Sequence, residues 1–434
     1  MLILYNIIIR LYGFAIRLAS LWNAKARRWI DGRKDLFENL EKKIKTGDKI
    51  IWVHCSSAGE FEQGKPVIEK LKHEYTDHKI LLSFFSPSGL IAAKNYPGAD
   101  IITYLPADTK KNAERFIQTA KPELVIFVKY EFWYRHLAAA AYHHIPLLLV
   151  SAVFRKEQVF FKWYGKFYRR ILFLFRQIFV QDECSFKLLQ LNGISHCSIS
   201  GDTRFDRVKE IAENFAAIPA IELFIQNKKT IVAGSTWPED EKLLSLLDNN
   251  NIKIVIAPHE ITKSHIQSIQ KLFPGSILYS QIKEAFETET NDILWTTINN
   301  ETASYLKKNL EDEKVLIIDN VGMLSRLYKY AAIAYVGGGF TSDGIHNILE
   351  AAVFGKPVIF GPNYKIYREA KELIKSGGAF SISSAAEFKE KINQLFDLKN
   401  QESASEASKK YVEENTGATE KIIQFIQANR LLTR

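Results

Sequence analysis

Ile50-Ile51-Trp52-Val53-His54-Cys55-Ser56-Ser57-Ala58-Gly59-Glu60-Phe61 is the stretch whose reading decides the fold. A run dominated by apolar residues, with none of the alternation of a half-solvated strand, is a strand buried on both faces. It ends in a turn of small residues, and a helix starts near Glu60. The same strand–turn–helix rhythm extends outward, with strands expected at Ile50–His54, Ile80–Phe85, Ile101–Tyr104, Leu124–Val128, Leu147–Val150, Ile178–Val180 and Cys197–Ile199. It pauses after Asp206, through a polar stretch ending near Asn227-Lys228-Lys229. It restarts with strands expected at Thr230–Ala233, Ile252–Ala257, Val315–Ile318, Ile333–Val336 and Pro357–Phe360, and Thr419–Leu431 is the last clear helix. Strands alternating with helices mean parallel sheets covered on both faces. The expectation is an α/β protein of two doubly wound, Rossmann-like domains, with a ligand cleft between them at the carboxyl ends of the strands. The boundaries read as an N-terminal helix and basic flank over 1–40, a first domain over 41–210, a linker over 211–228, a second domain over 229–410 and a C-terminal helix over 411–434.

Composition fits that division. Two or three domains suit 434 residues, and 47% hydrophobic residues are enough for large cores. The formal net charge of +9 favours an anionic partner such as phosphate, nucleic acid or an acidic membrane face, without choosing among them. The cysteines, Cys55, Cys184 and Cys197, are few and not at ligand spacing, so neither a disulfide framework nor a structural zinc site is expected. No nucleic-acid module is visible, and no nucleic-acid partner is expected.

The N-terminus, MLILYNIIIRLYGFAIRLASLW over residues 1–22, carries only Arg10 and Arg17 as charges. On a helix Asn6, Arg10, Gly13, Arg17 and Ser20 form one narrow stripe and the remainder is apolar. An arginine at the bilayer centre costs about 2.5–3.5 kcal/mol on insertion scales. Two of them favour a helix lying in the membrane interface over a simple span. Lys25, Arg27, Arg28, Arg33 and Lys34 follow and suit an anionic cytoplasmic leaflet. Packing of this helix on the protein core is the alternative. The run VFFKWYGKFYRRILFLFR over 159–176 interleaves aromatic and basic residues and is a second candidate for the headgroup level, or else an ordinary core element with a basic face.

Four constellations can carry chemistry. Glu60 follows a buried strand among residues too small to block a ligand, and a carboxylate there can take a proton from a sugar hydroxyl; the alternative is a glutamate favoured by the helix dipole. Glu131, in Val128-Lys129-Tyr130-Glu131-Phe132-Trp133, also follows an apolar strand, and equally suits a surface carboxylate opening a helix. Arg204, in Gly201-Asp202-Thr203-Arg204-Phe205-Asp206, can meet a phosphate or carboxylate with two prongs, or form a structural salt bridge. The fourth set holds Gly234-Ser235-Thr236 before Pro238, the glycine run Gly337-Gly338-Gly339, and Asn347-Ile348-Leu349-Glu350. Glycines after a strand allow close backbone approach, Asn347 is placed to open a helix, and Glu350 can accept hydrogen bonds from ribose hydroxyls. A nucleotide with one phosphate can be held by a helix end and one or two cations. No metal motif occurs in these stretches, so neither metal nor cofactor is expected.

Taken together, these residues resemble the bacterial 3-deoxy-D-manno-octulosonic acid (Kdo) transferases over nearly the whole chain. The resemblance implies GT-B glycosyltransferase architecture. It makes Glu60, in Ser56-Ser57-Ala58-Gly59-Glu60-Phe61, the general base, and Glu131 a transition-state-stabilising group. Arg204 falls where the family usually has lysine. The donor pocket for the CMP half of CMP-Kdo is similar to Pro258-His259, Val321-Gly322-Met323 and Asn347-Ile348-Leu349-Glu350, with Gly234, Ser235 and Thr236 beside it. Many relatives have Pro-Arg-His where this chain has Pro258-His259-Glu260, which exchanges a permanent cation for a group titrating near neutrality. The implied reaction is inverting transfer of Kdo from CMP-Kdo to lipid IVA at the cytoplasmic face of the inner membrane. A two-domain transferase using a UDP-sugar, and a membrane-bound nucleotide-binding protein without catalysis, are the rival readings.

Overall fold

A computed structural model of the chain describes residues 1–247, 252–290, 310 and 312–433. It divides into two compact units, Met1–Arg207 together with Asn415–Arg434, and Val208–Glu414.

The first unit is built on strands β1 (Lys49–Cys55), β2 (His78–Phe84), β3 (Ile101–Tyr104), β4 (Pro122–Val128), β5 (Leu147–Ala152), β6 (Gln177–Val180) and β7 (Cys197–Ile199). All pairings are parallel, in the order β3-β2-β1-β4-β5-β6-β7. Every strand expected in this half is present. Strand β1 is buried on both faces. Ile50 and Trp52 pack with Phe116, Phe127 and Leu149, while Ile51, Val53 and Cys55 pack with Phe61, Val67 and Leu71. The second face is completed by the C-terminal helix Ala418–Ala428, through Ile422, Ile423 and Ile426, all fully buried. Each such isoleucine contributes about 1.5–3 kcal/mol. Asp206 fixes that helix by accepting from the backbone N–H groups of Gly417 and Thr419, both at 2.6 Å. The strand order reverses between β1 and β4, so the carboxyl ends of these two strands flank the switch point where doubly wound sheets bind ligands.

The N-terminal helix, Leu2–Ala19, has no buried residue and is long and apolar enough to cross a membrane. Its half-buried stripe is Tyr5, Asn6, Ile9, Gly13 and Ile16, not the stripe containing Arg10 and Arg17, which are exposed. Tyr5 donates to Asp108 and Asn6 accepts from Arg135 at 2.8 and 3.1 Å, so polar side chains tie the helix to the first unit and its apolar face points outward. The basic flank is less uniform than its sequence. Arg33 turns inward and donates to the carbonyls of Leu105, Trp29 and Phe85, and Lys34 pairs with Asp31. The aromatic run is a 3-10 turn (Val159–Phe161) and a helix (Lys166–Leu172), with Trp163 92% exposed between them and Phe167 against Tyr5.

The second unit carries β8 (Lys229–Thr236), β9 (Ile252–Pro258), β10 (Ile277–Leu278), β11 (Val315–Ile317), β12 (Ile333–Val336), β13 (Val358–Phe360) and β14 (Ala379–Ser381). They are parallel, in the order β10-β11-β9-β8-β12-β13-β14, with the switch point between β8 and β12. The five expected strands are present. The two edge strands, β10 and β14, were not expected, because two or three residues are too few to display a period. The stretch read as a linker is also more ordered than its polarity suggested. Pro219 opens a helix, Pro219–Ile225, whose Ala220, Ile221 and Phe224 are fully buried.

Candidate active site

In the first unit, β1 delivers its chain to the helix Ala58–Glu74 through Ser56 and Ser57. Glu60 lies in the first turn of that helix, half-buried, with the Ser57 hydroxyl donating to its Oε2. Gly59 is exposed, and only Ser57 Oγ, at 3.8 Å, lies near where a side chain would start, so the carboxylate is not walled in by its predecessor.

Glu131 is brought to the same place from β4. Lys129 takes a left-handed conformation (φ 69°) at the end of the strand, which turns the chain so that the Glu131 carboxylate meets His54 of β1, Nε2 to Oε2 at 3.5 Å. His54 is fully buried. Trp52 Nε1 donates to Ser83 Oγ at 2.7 Å, and Ser83 Oγ lies 2.9 Å from His54 Nδ1. Nδ1 also lies 3.1 Å from the Ser83 carbonyl oxygen, so Ser83 holds that edge of the ring through two atoms while Nε2 faces Glu131. Trp133 Nε1 also donates to Glu131. Burial raises the Glu131 pKa, but hydrogen bonds from His54, Ser56 and Trp133 and attraction to His54 outweigh it, so the carboxyl titrates below its usual range.

Arg204 opens the helix Thr203–Glu213 that follows β7. Its Nε and one terminal nitrogen donate to Asp202 Oδ2 at 2.9 and 2.7 Å, so the salt bridge weighed from sequence is present. Gln63 donates to the other Asp202 oxygen at 3.3 Å. A partly exposed phenol and a buried thiol both feel these residues. The Tyr130 phenol is raised first by burial and then acted on by Arg155, Glu60, Arg204 and Asp202, and the Cys55 thiol is raised by burial, Glu60 and Glu131. The structure thus gathers Glu60, Glu131 and Arg204, which are far apart in sequence, at one end of one sheet.

In the second unit β8 ends at Gly234-Ser235-Thr236, with Ser235 left-handed (φ 52°) and the register shifting there. Thr236 is buried, donates to Glu241 at 2.9 Å, and accepts from the His259 backbone N–H at 3.0 Å; Pro258 ends β9. The His259 ring lies between Trp237 (centroids 4.8 Å apart, 24° between planes) and His346 (4.4 Å, 30°). Trp237 Nε1 donates to His346 Nε2 at 3.4 Å, which requires that nitrogen to be unprotonated, and burial with the nearby His259 lowers the His346 pKa to about 4. Asp240, fully buried, accepts from Tyr335 (2.6 Å), Gly338 N (3.0 Å) and Trp237 N (2.9 Å), tying the β8 and β12 loops together.

The glycines allow the close backbone approach read from the sequence. A Cβ at Gly337 would fall 2.2 Å from the Ser235 carbonyl oxygen, and one at Gly339 2.5 Å from Gly361 N. Their lack of a side chain lets protein backbone approach protein backbone. Asn347 opens no long helix. Its side chain accepts from Leu349 N (3.2 Å) and donates to Glu350 (3.0 Å), and the helix that follows is Leu349–Ala352. Ile348 and Leu349 are fully buried, as core residues. Gly322 is left-handed (φ 95°), Val321 is 85% exposed, and Met323 is buried at the start of the helix Leu324–Leu327. That turn lies beside Gly234, where a Cβ would meet Leu324 and the Tyr328 hydroxyl. Among the described residues no cluster of His, Cys, Asp or Glu could hold a metal ion.

Residues 31–207 match the family model for 3-deoxy-D-manno-octulosonic-acid transferase (kdotransferase). Curated relatives with that activity name extend the match. One from Rickettsia typhi is 24% identical over 407 residues, spanning 92% of this chain and 84% of its own. One from Aquifex aeolicus is 28% identical, spanning 85% of this chain and 92% of its own. Over most of its length the chain is similar to the Kdo transferases, and it is residues 31–207 that match their family model. It is a glycosyltransferase with two Rossmann-like domains of GT-B type. Among solved structures, UDP-GlcNAc 2-epimerase from Neisseria meningitidis (TM-score 0.59, 18% identity, 88% of this chain and 100% of that one) and MurG from Acinetobacter baumannii (0.52, 11%, 88% and 99%) share the fold.

Two expectations follow from the second unit. Gly337→Ala forces a methyl into the Ser235 backbone, so the variant should lose about 1–3 kcal/mol of stability or more, read as a lower denaturation midpoint. Gly322→Ala, strained by its positive φ but meeting nothing within 4 Å, is the milder control. The second concerns pH. His346 binds its proton only near pH 4 in the folded enzyme and near 6.5 when unfolded, so the unfolded chain holds more protons between these values and stability falls as pH drops from 6.5 toward 4. His346→Gln should flatten that part of the stability–pH curve, measured by thermal melts from pH 7 to 4.5. His54, Trp133, Trp237 and His346 were quoted or passed over in the sequence without a role. A lone histidine or tryptophan in an apolar run carries no spacing signal, and their partners lie on other strands.

Proposed function

We propose that this Kdo transferase moves Kdo from CMP-Kdo to lipid IVA, the tetra-acylated lipid A precursor, with inversion at the anomeric carbon. The observation that carries the reading is the pair Glu60 and Glu131 flanking the switch point of the first sheet, in the unit that also bears the exposed apolar helix. Glu60 takes the proton from a glucosamine hydroxyl as its oxygen bonds to the Kdo anomeric carbon. The bond from that carbon to the CMP phosphate breaks, and CMP leaves as a stable anion that needs no acid. Glu131, ionised and held by His54, Ser56 and Trp133, and Arg204, fixed by Asp202, supply the charges around the developing oxocarbenium-like centre. Ser235 and His259 face the donor phosphate, and Thr236, buried against Glu241, holds the loop that carries them, while Gly234, Pro258, Val321, Gly322, Met323 and the Asn347–Glu350 segment shape the nucleotide site. The chemistry calls for neither metal nor cofactor. The N-terminal helix and its basic flank hold the enzyme at the cytoplasmic face of the inner membrane.

The test is incubation with CMP-Kdo and lipid IVA, with products read by mass spectrometry. A product heavier by one or more Kdo residues, with inhibition by CMP and none by UDP, is the expected result. Absence of product, or inhibition by UDP alone, would overturn the assignment.

A further inference from the structure

Between the N-terminal helix and the loop after β2 runs an open groove of about 310 Å3, within the range of small-ligand sites, ~300–1,000 Å3. Tyr12 and Ile16 of the helix form one wall, Trp29 and the Phe85–Pro87 loop the other, and Lys25 stands at its rim. Three features distinguish it from an incidental crevice. The wall is pre-set, because Arg33 donates to the carbonyls of Trp29 (2.9 Å) and Phe85 (2.8 Å) while its guanidinium lies 3.7 Å over the Trp29 ring. The Phe85–Pro87 wall is tied to the segments that carry both carboxylates. Ser86 N donates to Ser56 O at 2.8 Å, in the Glu60 turn, and Phe85 stacks on Trp133 (4.5 Å, 27°), which donates to Glu131. Finally, Lys25 is exposed and forms no ion pair among the described residues, leaving a cation at the mouth of an apolar channel.

An apolar channel with a cation at its mouth, beside a base that deprotonates a sugar, matches one ligand chemistry: a phosphorylated sugar carrying fatty-acyl chains. We propose that this groove seats one acyl chain of the glycolipid acceptor, so that the N-terminal helix is a wall of the acceptor site as well as a membrane contact. The proposal rests on the functional reading above. Removal of residues 1–22 takes away Tyr12 and Ile16, one wall of the groove, so the truncated enzyme is impaired on acylated acceptor even in detergent.

Photolabelling tests the groove without depending on turnover. Lipid IVA bearing a diazirine in an acyl chain, bound to the full-length enzyme in phospholipid vesicles, should label peptides containing Tyr12–Trp29 or Phe85–Pro87. Unlabelled lipid IVA should abolish the label and phosphatidylglycerol should not. Label elsewhere, or label displaced equally by phosphatidylglycerol, would overturn the proposal. Kinetics give the second arm. Each seated methylene is worth about fourfold in affinity, so Ala26→Trp, which fills the groove, and Ile16→Glu, which charges it, should lower the ratio of kcat/KM for lipid IVA over its deacylated bisphosphorylated disaccharide by roughly tenfold or more. A ratio within about twofold of wild type in both variants contradicts the groove. Failure of the wild-type enzyme to transfer Kdo to either acceptor contradicts the functional reading instead, and leaves the photolabelling result to decide the groove.

Discussion

Glu60→Gln is expected to lower kcat by ~10²–10⁴-fold, the usual contribution of a general base. The change keeps the shape of the side chain and the hydrogen bond from Ser57, and it removes only the ability to take a proton. In the proposed reaction CMP departs as an anion, so deprotonation of the acceptor is the one proton transfer required, and no second acid compensates for its loss. CMP affinity should be unchanged, since the residues proposed to hold the nucleotide belong to the other unit. Thermal stability should change little, because the residue is only half-buried. Near-normal turnover in this variant, measured under single-turnover conditions, would remove Glu60 from the chemistry and leave Glu131 as the candidate base.

Glu131→Gln should cost ~10²–10³-fold in kcat, comparable to losing one charge-stabilising group from a desolvated site, with donor affinity again unaltered. The more telling variant is at His54. Burial alone pushes the Glu131 pKa up, and the His54 contact is among the interactions that bring it down. His54→Leu removes that contact, so the carboxyl pKa should rise and activity on the acid side should be lost at a higher pH than in wild type. The sign follows from the direction of the wild-type shift: a carboxyl whose pKa rises becomes neutral at a higher pH. The variant should also lose about 1–3 kcal/mol of stability, because the Ser83 hydroxyl and the Glu131 carboxylate lose a partner in the interior. A lower kcat with an unmoved acid limb would show His54 to be merely structural. An acid limb shifted upward, with kcat recovering at high pH, would show that it acts through Glu131.

The resemblance of Ser56–Phe61, Tyr130–Trp133 and Gly201–Asp206 to the Kdo transferases was legible because these segments are contiguous, each following a strand whose apolar run marks it. Roles that depend on contacts across strands were not legible. His54 has no sequence neighbour that hints at Glu131, and Trp237, His259 and His346 stack although they follow three different strands, β8, β9 and β12. The glycines show the same limit. Their clustering was visible, but whether a ligand or the Ser235 and Gly361 backbones occupied the space beside them was not.

The sequence by itself determined the class of fold and nearly all of its strands, because strands buried on both faces must be near-continuous apolar runs, and small residues before an acidic helix start mark where the chain turns. It also determined that the first helix would be apolar enough to meet a lipid phase. Only the tertiary structure decided which face of that helix docks, because Tyr5 and Asn6 find their partners, Asp108 and Arg135, more than a hundred residues away. It alone decided that Arg33 would turn inward to fix the groove walls, and that the strand order would reverse between β1 and β4, so that Glu60 and Glu131 follow the two strands that flank the switch point. Strand order depends on which buried faces pair across the whole sheet, and no local run of residues encodes that choice.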